Sequence, residues 1–146
     1  MKMLLGFILM LSPMAFAKDV APAIEITEAR VFAPMKGSNT TAGYGKIKNI
    51  STKEVILKVT SASPFKAVET HETKEKAGKM AMEKVESFTI PAQGVLELKP
   101  GGNHIMLFDA SREIKAGEEL VIAFDVNGQS VNMKFKVENR TEGAHH

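Results

Sequence analysis

Four side chains from the middle of the chain onward have types and spacing that suit metal binding: His71, Met82, His104 and Met106. Ten residues separate His71 from Met82, 21 separate Met82 from His104, and Ile105 alone lies between the last two. Imidazole nitrogen and thioether sulfur are good ligands for copper, and the thioether favours the soft Cu(I) ion. The chain has no cysteine. This donor set therefore predicts a copper site suited to a compartment where a thiol would be oxidised.

The last two donors, His104 and Met106, occupy positions i and i+2 of a predicted strand. Side chains two residues apart in a strand point to the same face, with Cα atoms ~7 Å apart, so both can reach one ion. Ile105 and Leu107 then point to the other face, into the core. The turn Pro100-Gly101-Gly102-Asn103 precedes the pair, and we therefore expect the pair at the start of a strand, near an edge of the sheet.

Most of the chain consists of short β-rich segments separated by turn residues. The best hairpin signal is Asn127-Gly128, which stands between two such segments. Many short strands, with no long helical pattern, favour an all-β fold that is a Greek-key β-sandwich or barrel. Strands are predicted at 24–32, 42–50, 55–60, 67–72, 80–85, 88–90, 95–98, 104–108, 120–124 and 131–137.

The segment 70–85, which holds His71 and Met82, is the part whose structure the sequence specifies least. It contains helix-friendly residues, whereas the charge run 72–76 and Gly78 favour an exposed loop. His71 and Met82 are then contributed by a separate strand and loop. Met80 comes two residues before Met82 and can share its strand face, so the residues alone leave open which thioether reaches the metal.

The chain begins with the features of a secretory signal peptide. A short basic head is followed by the apolar run 3–11 and by Ala15-Phe16-Ala17, a small-residue cleavage pattern. The apolar run is shorter than the about 20 residues that a membrane span needs. We therefore expect residues 1–17 to be removed as a signal peptide. The new terminus then has no cysteine to carry a lipid anchor. The mature chain is expected to form one domain at 18–139 outside the cytoplasm. Residues 140–146 are predicted to form a disordered tail, in which His145 and His146 either bind Cu(II) or are inert.

Charge and composition exclude several classes of function. The chain has 19 Lys and Arg against 17 Asp and Glu, and loss of Lys2 with the signal peptide leaves it nearly neutral. This balance argues against nucleic acid or an anionic membrane as the main partner. Without cysteine, the chain is neither a thiol–disulfide reductase nor a blue-copper electron carrier. It also lacks a Gly-rich phosphate loop and a GxSxG motif, so we expect a carrier and not an enzyme.

The complete spacing His-x10-Met-x21-His-x-Met resembles the signature of the periplasmic copper chaperone family PCuAC. Flanking residues are similar as well, namely Ser63-Pro64, Ile90-Pro91-Ala92 and the run 98–107 around the final donor pair. The resemblance extends over roughly residues 24–137. It implies a cupredoxin-like Greek-key fold and one exposed Cu(I) site formed by His71, Met82, His104 and Met106.

The resemblance also implies a function and a partner. Members of this family deliver copper to the binuclear CuA centre on subunit II of cytochrome c oxidase, so we expect a monomeric periplasmic metallochaperone with that acceptor. The family spacing selects Met82 over Met80. Many members have Met directly after the first His, where this chain has Glu72, and this departure would alter copper affinity or release if that Met assists exchange. Glu69 or Glu72 can accept a hydrogen bond from His71, although a solvated position suits both carboxylates better.

Two other classes of function stay open at this point. One is a periplasmic copper buffering or resistance protein, which would use the same site without a specific acceptor. The other is a structural Ig-like β-sandwich in which the His and Met residues are incidental. The complete four-residue spacing disfavours this second class, because incidental residues need not obey it.

Overall fold

The computed structural model describes residues 23–140, and the regular elements in this range are all strands. The predicted signal peptide and residues 141–146 of the predicted tail lie outside the described residues. Residues 23–140 contain no helical segment that could serve as a membrane span. The strands are β1 (Ile24–Phe32), β2 (Thr41–Asn49), β3 (Val55–Ser61), β4 (Phe65–Lys76), β5 (Lys79–Val85), β6 (Phe88–Ile90), β7 (Val95–Leu98), β8 (His104–Ala110), β9 (Glu119–Val126) and β10 (Gln129–Glu138).

The all-β prediction is confirmed, and three strands, β1, β6 and β7, occupy the predicted ranges. The predicted hairpin at Asn127-Gly128 joins β9 to β10, and both residues have positive φ angles, 51° and 86°. Two positive φ angles in a row are the requirement of the tight hairpin turn for which Asn-Gly is the preferred pair. The local turn chemistry therefore places this connection correctly.

The strands pair in the order β5-β4-β8-β2-β1-β10-β9-β3-β6, and β7 also pairs with β2. β2 pairs with β8 over its first residues and with β7 over its later ones, so the hydrogen-bonded network divides at this strand and encloses one core. Strands that are distant in sequence become neighbours, as in a Greek-key arrangement. The largest fully buried side chains come from most of the strands: Phe124, Phe135, Ile47, Leu57, Ile90, Leu98, Ile105, Leu107, Ile122, Val31, Val55 and Val137.

The prediction of an exposed loop at the charged run 72–76 is wrong. β4 continues through this run and pairs antiparallel with β5 in unbroken register, from Thr70 opposite Val85 to Lys76 opposite Lys79. The connection is only the turn Ala77-Gly78, with φ angles of 50° and 78°. This turn has the same backbone geometry as the Asn127-Gly128 hairpin, without its sequence signal.

Ion pairs accompany the charged run of β4. Lys74 lies 2.9 Å from Glu72 within the strand, and Lys76 contacts Glu83 across the hairpin. Opposite charges on one face of an antiparallel pair stabilise it. A ribbon of this kind lacks the alternating apolar residues on which recognition of strands in a sequence relies.

The position of β8 also differs from the prediction. The turn at 100–103 precedes β8 as expected, but this strand is not near an edge, because it lies between β4 and β2. The strand at that end of the sheet is β5, two positions away. Ile105 and Leu107 are fully buried as predicted, so the alternating side chains of β8 face away from the core.

Asn49, at the end of β2, is the most connected buried polar side chain. Its side chain is fully buried, and its amide nitrogen donates to the carbonyl oxygens of Lys53, Ile90 and Pro91 at 2.7, 3.0 and 3.1 Å. Its Oδ1 accepts from the backbone N–H and the hydroxyl of Ser51 at 2.9 and 2.7 Å. One amide thus ties the end of β2 to β6 and to the loop that follows β2.

We predict that Asn49→Ala lowers the free energy of unfolding by about 2–3 kcal/mol, because buried carbonyl oxygens lose their donor. Denaturant unfolding measures this change. Ser51→Ala is the matched control, since it removes one partner at a partly exposed position and should cost no more than about 1 kcal/mol. Equal small losses in both variants would show that Asn49 has no such role.

Candidate metal centre

Pairing of β4 with β8 places the two predicted histidine ligands side by side. His71 and His104 are direct cross-strand partners, and their ring centroids are 5.4 Å apart at an interplanar angle of 39°. They are 33 positions apart in the sequence, so only the register of this strand pair brings them together. Two imidazoles at this separation can bind one metal ion between them.

The two predicted thioethers line the same cleft as the histidines. Met106 follows His104 by two residues on β8 and is half-buried, whereas Met82, on β5 opposite Thr73 of β4, is 67% exposed. The cleft has a volume of about 810 Å³, and all four sequence-predicted residues line it. The structure therefore brings these four donors to one surface, while their role as copper ligands stays a prediction.

His104 is held by the turn that precedes its strand. The ring is buried, and its Nδ1 donates to the carbonyl oxygen of Gly102 at 2.8 Å. Thr73 donates to the same oxygen at 2.9 Å, so the turn is also tied to β4. A neutral imidazole that donates from Nδ1 keeps the lone pair of Nε2 for a metal.

His71 has a carboxylate partner. Its Nε2 lies 2.9 Å from Oε2 of Glu69, two residues earlier on β4, and Oε1 of Glu69 lies 3.0 Å from the ammonium of Lys84 on β5. The hydrogen bonds from His71 and Lys84 lower the pKa of Glu69 below its usual range. Glu69 therefore stays ionised, and it orients the imidazole as carboxylates commonly orient metal-binding histidines.

This geometry decides between the two candidate carboxylates. Glu69 contacts His71, whereas Glu72 pairs with Lys74. The expectation that both would be merely solvated is wrong for Glu69. Strand alternation is the reason, because residues two apart share a face and adjacent residues do not.

Met80 also lines the cleft, as its position two residues before Met82 allows. The two side chains are almost equally exposed, 66% for Met80 and 67% for Met82. Two further methionines of the described residues lie elsewhere: Met133 is a core residue, and Met35 is exposed and lines a separate cavity. The cleft therefore has a buried end at His104 and an exposed end on β5.

The sequence did not single out an aromatic and arginine cluster at the buried end. The ring centroid of Tyr44, the only tyrosine in the chain, is 6.5 Å from that of His104 and 5.5 Å from that of Phe32. The guanidinium of Arg140, the first residue of the predicted tail, lies 5.6 Å from the centre of the Phe32 ring. Burial raises the pKa of the Tyr44 hydroxyl, against the opposing charges of Arg140 and Arg30. In the sequence, the only signal that could have pointed to this cluster is the single tyrosine within a predicted strand.

The fold and the cleft define an all-β domain of the PCuAC type. The structure matches the apo PCuAC domain from PmoF1 with a TM-score of 0.68, over 82% of this chain and 96% of that chain, at 18% sequence identity. It matches the solution structure of Cu(I)-DR1885 from Deinococcus radiodurans with a TM-score of 0.67, over 86% of this chain and 87% of that chain, at 29% identity. These matches confirm the cupredoxin-like fold and the resemblance to PCuAC.

The sequence family agrees with the structure. A family model described as "Putative lipoprotein LpqE-like" matches residues 24–137, and the chain belongs to this family. The putative lipoprotein Lxx21020 of Leifsonia xyli subsp. xyli is 34% identical over 103 residues, which is 70% of this chain. The chain spans 61% and 58% of the lengths of the two curated relatives that it matches.

The hydrogen bonds of the two imidazoles give a prediction for the copper-free protein. At a pH well above the imidazole range, His104 should carry its proton on Nδ1 and His71 on Nε2. Long-range proton–nitrogen correlation spectra distinguish these tautomers directly. Glu69→Ala should remove the preference of His71 and leave that of His104 unchanged, and the same tautomer at both rings would contradict the structure.

Proposed function

We propose that this protein is a periplasmic metallochaperone that binds one Cu(I) ion through His71, Met82, His104 and Met106 and delivers it to the CuA centre of cytochrome c oxidase. The observation that carries the proposal is the pairing of His71 with His104 beside two methionines in one open cleft. Two imidazoles and two thioethers make a donor set that suits Cu(I). The Cu(I)-bound state of the Deinococcus relative supports the choice of metal and oxidation state.

The unequal exposure of the donors supports a carrier and not a permanent metal centre. His104, in the buried end of the cleft, is anchored by its turn, whereas Met82 is largely exposed. An incoming ligand can therefore replace the exposed thioether first, while the buried imidazole still holds the ion. All four donors are neutral, so release requires neither protonation nor reduction of a thiolate.

The predicted export signal supports the same function. The N-terminal segment has the pattern of a cleaved signal, and the family is described as "Putative lipoprotein LpqE-like", although this chain has no cysteine to carry a lipid. An exported protein without thiols keeps its donors in an oxidising compartment. For the same reason it cannot reduce a disulfide in its acceptor, so a separate thiol reductase must prepare the CuA cysteines.

We predict that replacing a donor weakens copper binding by about tenfold or more. His104→Ala and Met106→Ala should have the largest effects, because this pair is pre-positioned on one strand face, and Met82→Ala should follow. Competition with a Cu(I) chelator gives the affinities. Met35→Ala is the matched control, since Met35 is equally exposed but lines another cavity. Wild-type affinity in both His104→Ala and Met82→Ala would rule out this ligand set.

The acceptor is tested by mixing copper-loaded protein with the apo CuA domain in two states. We expect transfer when the two acceptor cysteines are reduced and none when they form a disulfide, because a disulfide offers no thiolate to copper. The absorption spectrum and metal content of the separated proteins report the transfer. Tight binding without transfer to the reduced domain would instead identify a copper-buffering protein.

A further inference from the structure

Met80 is an exposed thioether for which the packing of the protein gives no reason. It lies on β5, the strand at one end of the sheet, and its side chain is 66% exposed. Its strand neighbours Ala81 and Glu83, which point to the other face, are both more covered. A large apolar side chain on the more open face of a peripheral strand contributes little burial.

The position of Met80 is defined relative to the proposed ligands. Alternation along β5 places Met80 and Met82 on the same face, with Cα atoms ~7 Å apart. Met82 is opposite Thr73, and Met80 is opposite Glu75, one step nearer to the hairpin turn. Both thioethers line the cleft with His71 and His104, so Met80 lies beyond Met82 on the side away from the buried donors.

We propose that Met80 is a transit ligand, which binds Cu(I) together with Met82 while the ion leaves the inner donors for the acceptor. This role rests on the proposed function of the cleft. In the step, the bonds from copper to His71, His104 and Met106 break and each lone pair returns to its nitrogen or sulfur, while a bond from the Met80 sulfur to copper forms and the bond to Met82 is kept. The metal stays Cu(I), and no proton or electron is transferred.

The chemistry of methionine suits such a step. A thioether is a neutral, soft ligand on a side chain with three rotatable bonds, so it can follow the ion over several ångströms. Two adjacent thioethers on an exposed strand leave coordination positions open to an incoming ligand. The inner set determines how tightly copper is held, and Met80 determines how fast it leaves.

The test measures rate and affinity separately with the full chain. Stopped-flow mixing of copper-loaded protein with bicinchoninate, over a range of chelator concentrations, gives the transfer rate, and equilibrium competition gives the affinity. Met80→Leu removes the sulfur and keeps the size and apolar character of the side chain. Met35→Leu is the matched control at an exposed methionine outside the cleft.

We expect the second-order transfer rate to fall severalfold in Met80→Leu while the affinity stays within about twofold of the wild type. Met82→Leu should lower the affinity itself, and Met35→Leu should change neither quantity. The same order of rates is expected with the reduced apo CuA domain as acceptor.

Two results would overturn the transit role. An unchanged transfer rate in Met80→Leu would show that copper leaves without this sulfur, and an affinity loss equal to that of Met82→Leu would make Met80 a permanent ligand. Failure of the proposed function would give a different result from failure of the transit role. In that case the wild-type chain and Met35→Leu would themselves fail to retain Cu(I) or to supply it to the CuA domain.

Discussion

The antiparallel pairing of β4 with β8 is the interaction on which the rest of the site depends. It sets His71 directly opposite His104, and the β4–β5 hairpin then adds Met82 on the same face. A shift of one residue in the β4–β8 register would turn one set of donors toward the core. The fully buried Ile105 and Leu107 prevent this shift, because they would become exposed. Core packing and site geometry are thus two results of one strand register.

The cleft changes from a fixed end at His104 to an exposed end at Met82. At the fixed end, the ring of His104 is buried and hydrogen-bonded to Gly102, and Tyr44 packs nearby. At the exposed end, Met82 projects from the peripheral strand β5, whose Glu83 and Lys84 pair with Lys76 and Glu69 of β4. The proposed carrier role requires both properties, because tight retention and rapid release cannot depend on the same contact.

Charged side chains lie beside two of the cleft residues, His71 and Tyr44. Glu69 is shared between His71 and Lys84, so its negative charge is partly balanced while it orients the imidazole. On the other side of the cleft, arginines lie over aromatic rings and oppose the effect of burial on Tyr44.

The sequence by itself determined the donor types, their spacing, the all-β class and the local turn at Asn127-Gly128, because residue chemistry and short-range backbone preferences are encoded locally. It also determined that Ile105 and Leu107 face away from the donors, through strand alternation. Only the tertiary structure decided that β8 lies between β4 and β2, that the charged segment 72–76 is a strand, and that Glu69 and not Glu72 contacts His71. The first two features arise from pairing between separate strands, and the partner of each strand is selected by packing of the whole core and not by neighbouring residues in the chain. The contact of Glu69 with His71 follows from strand alternation within β4, since residues two apart share a face.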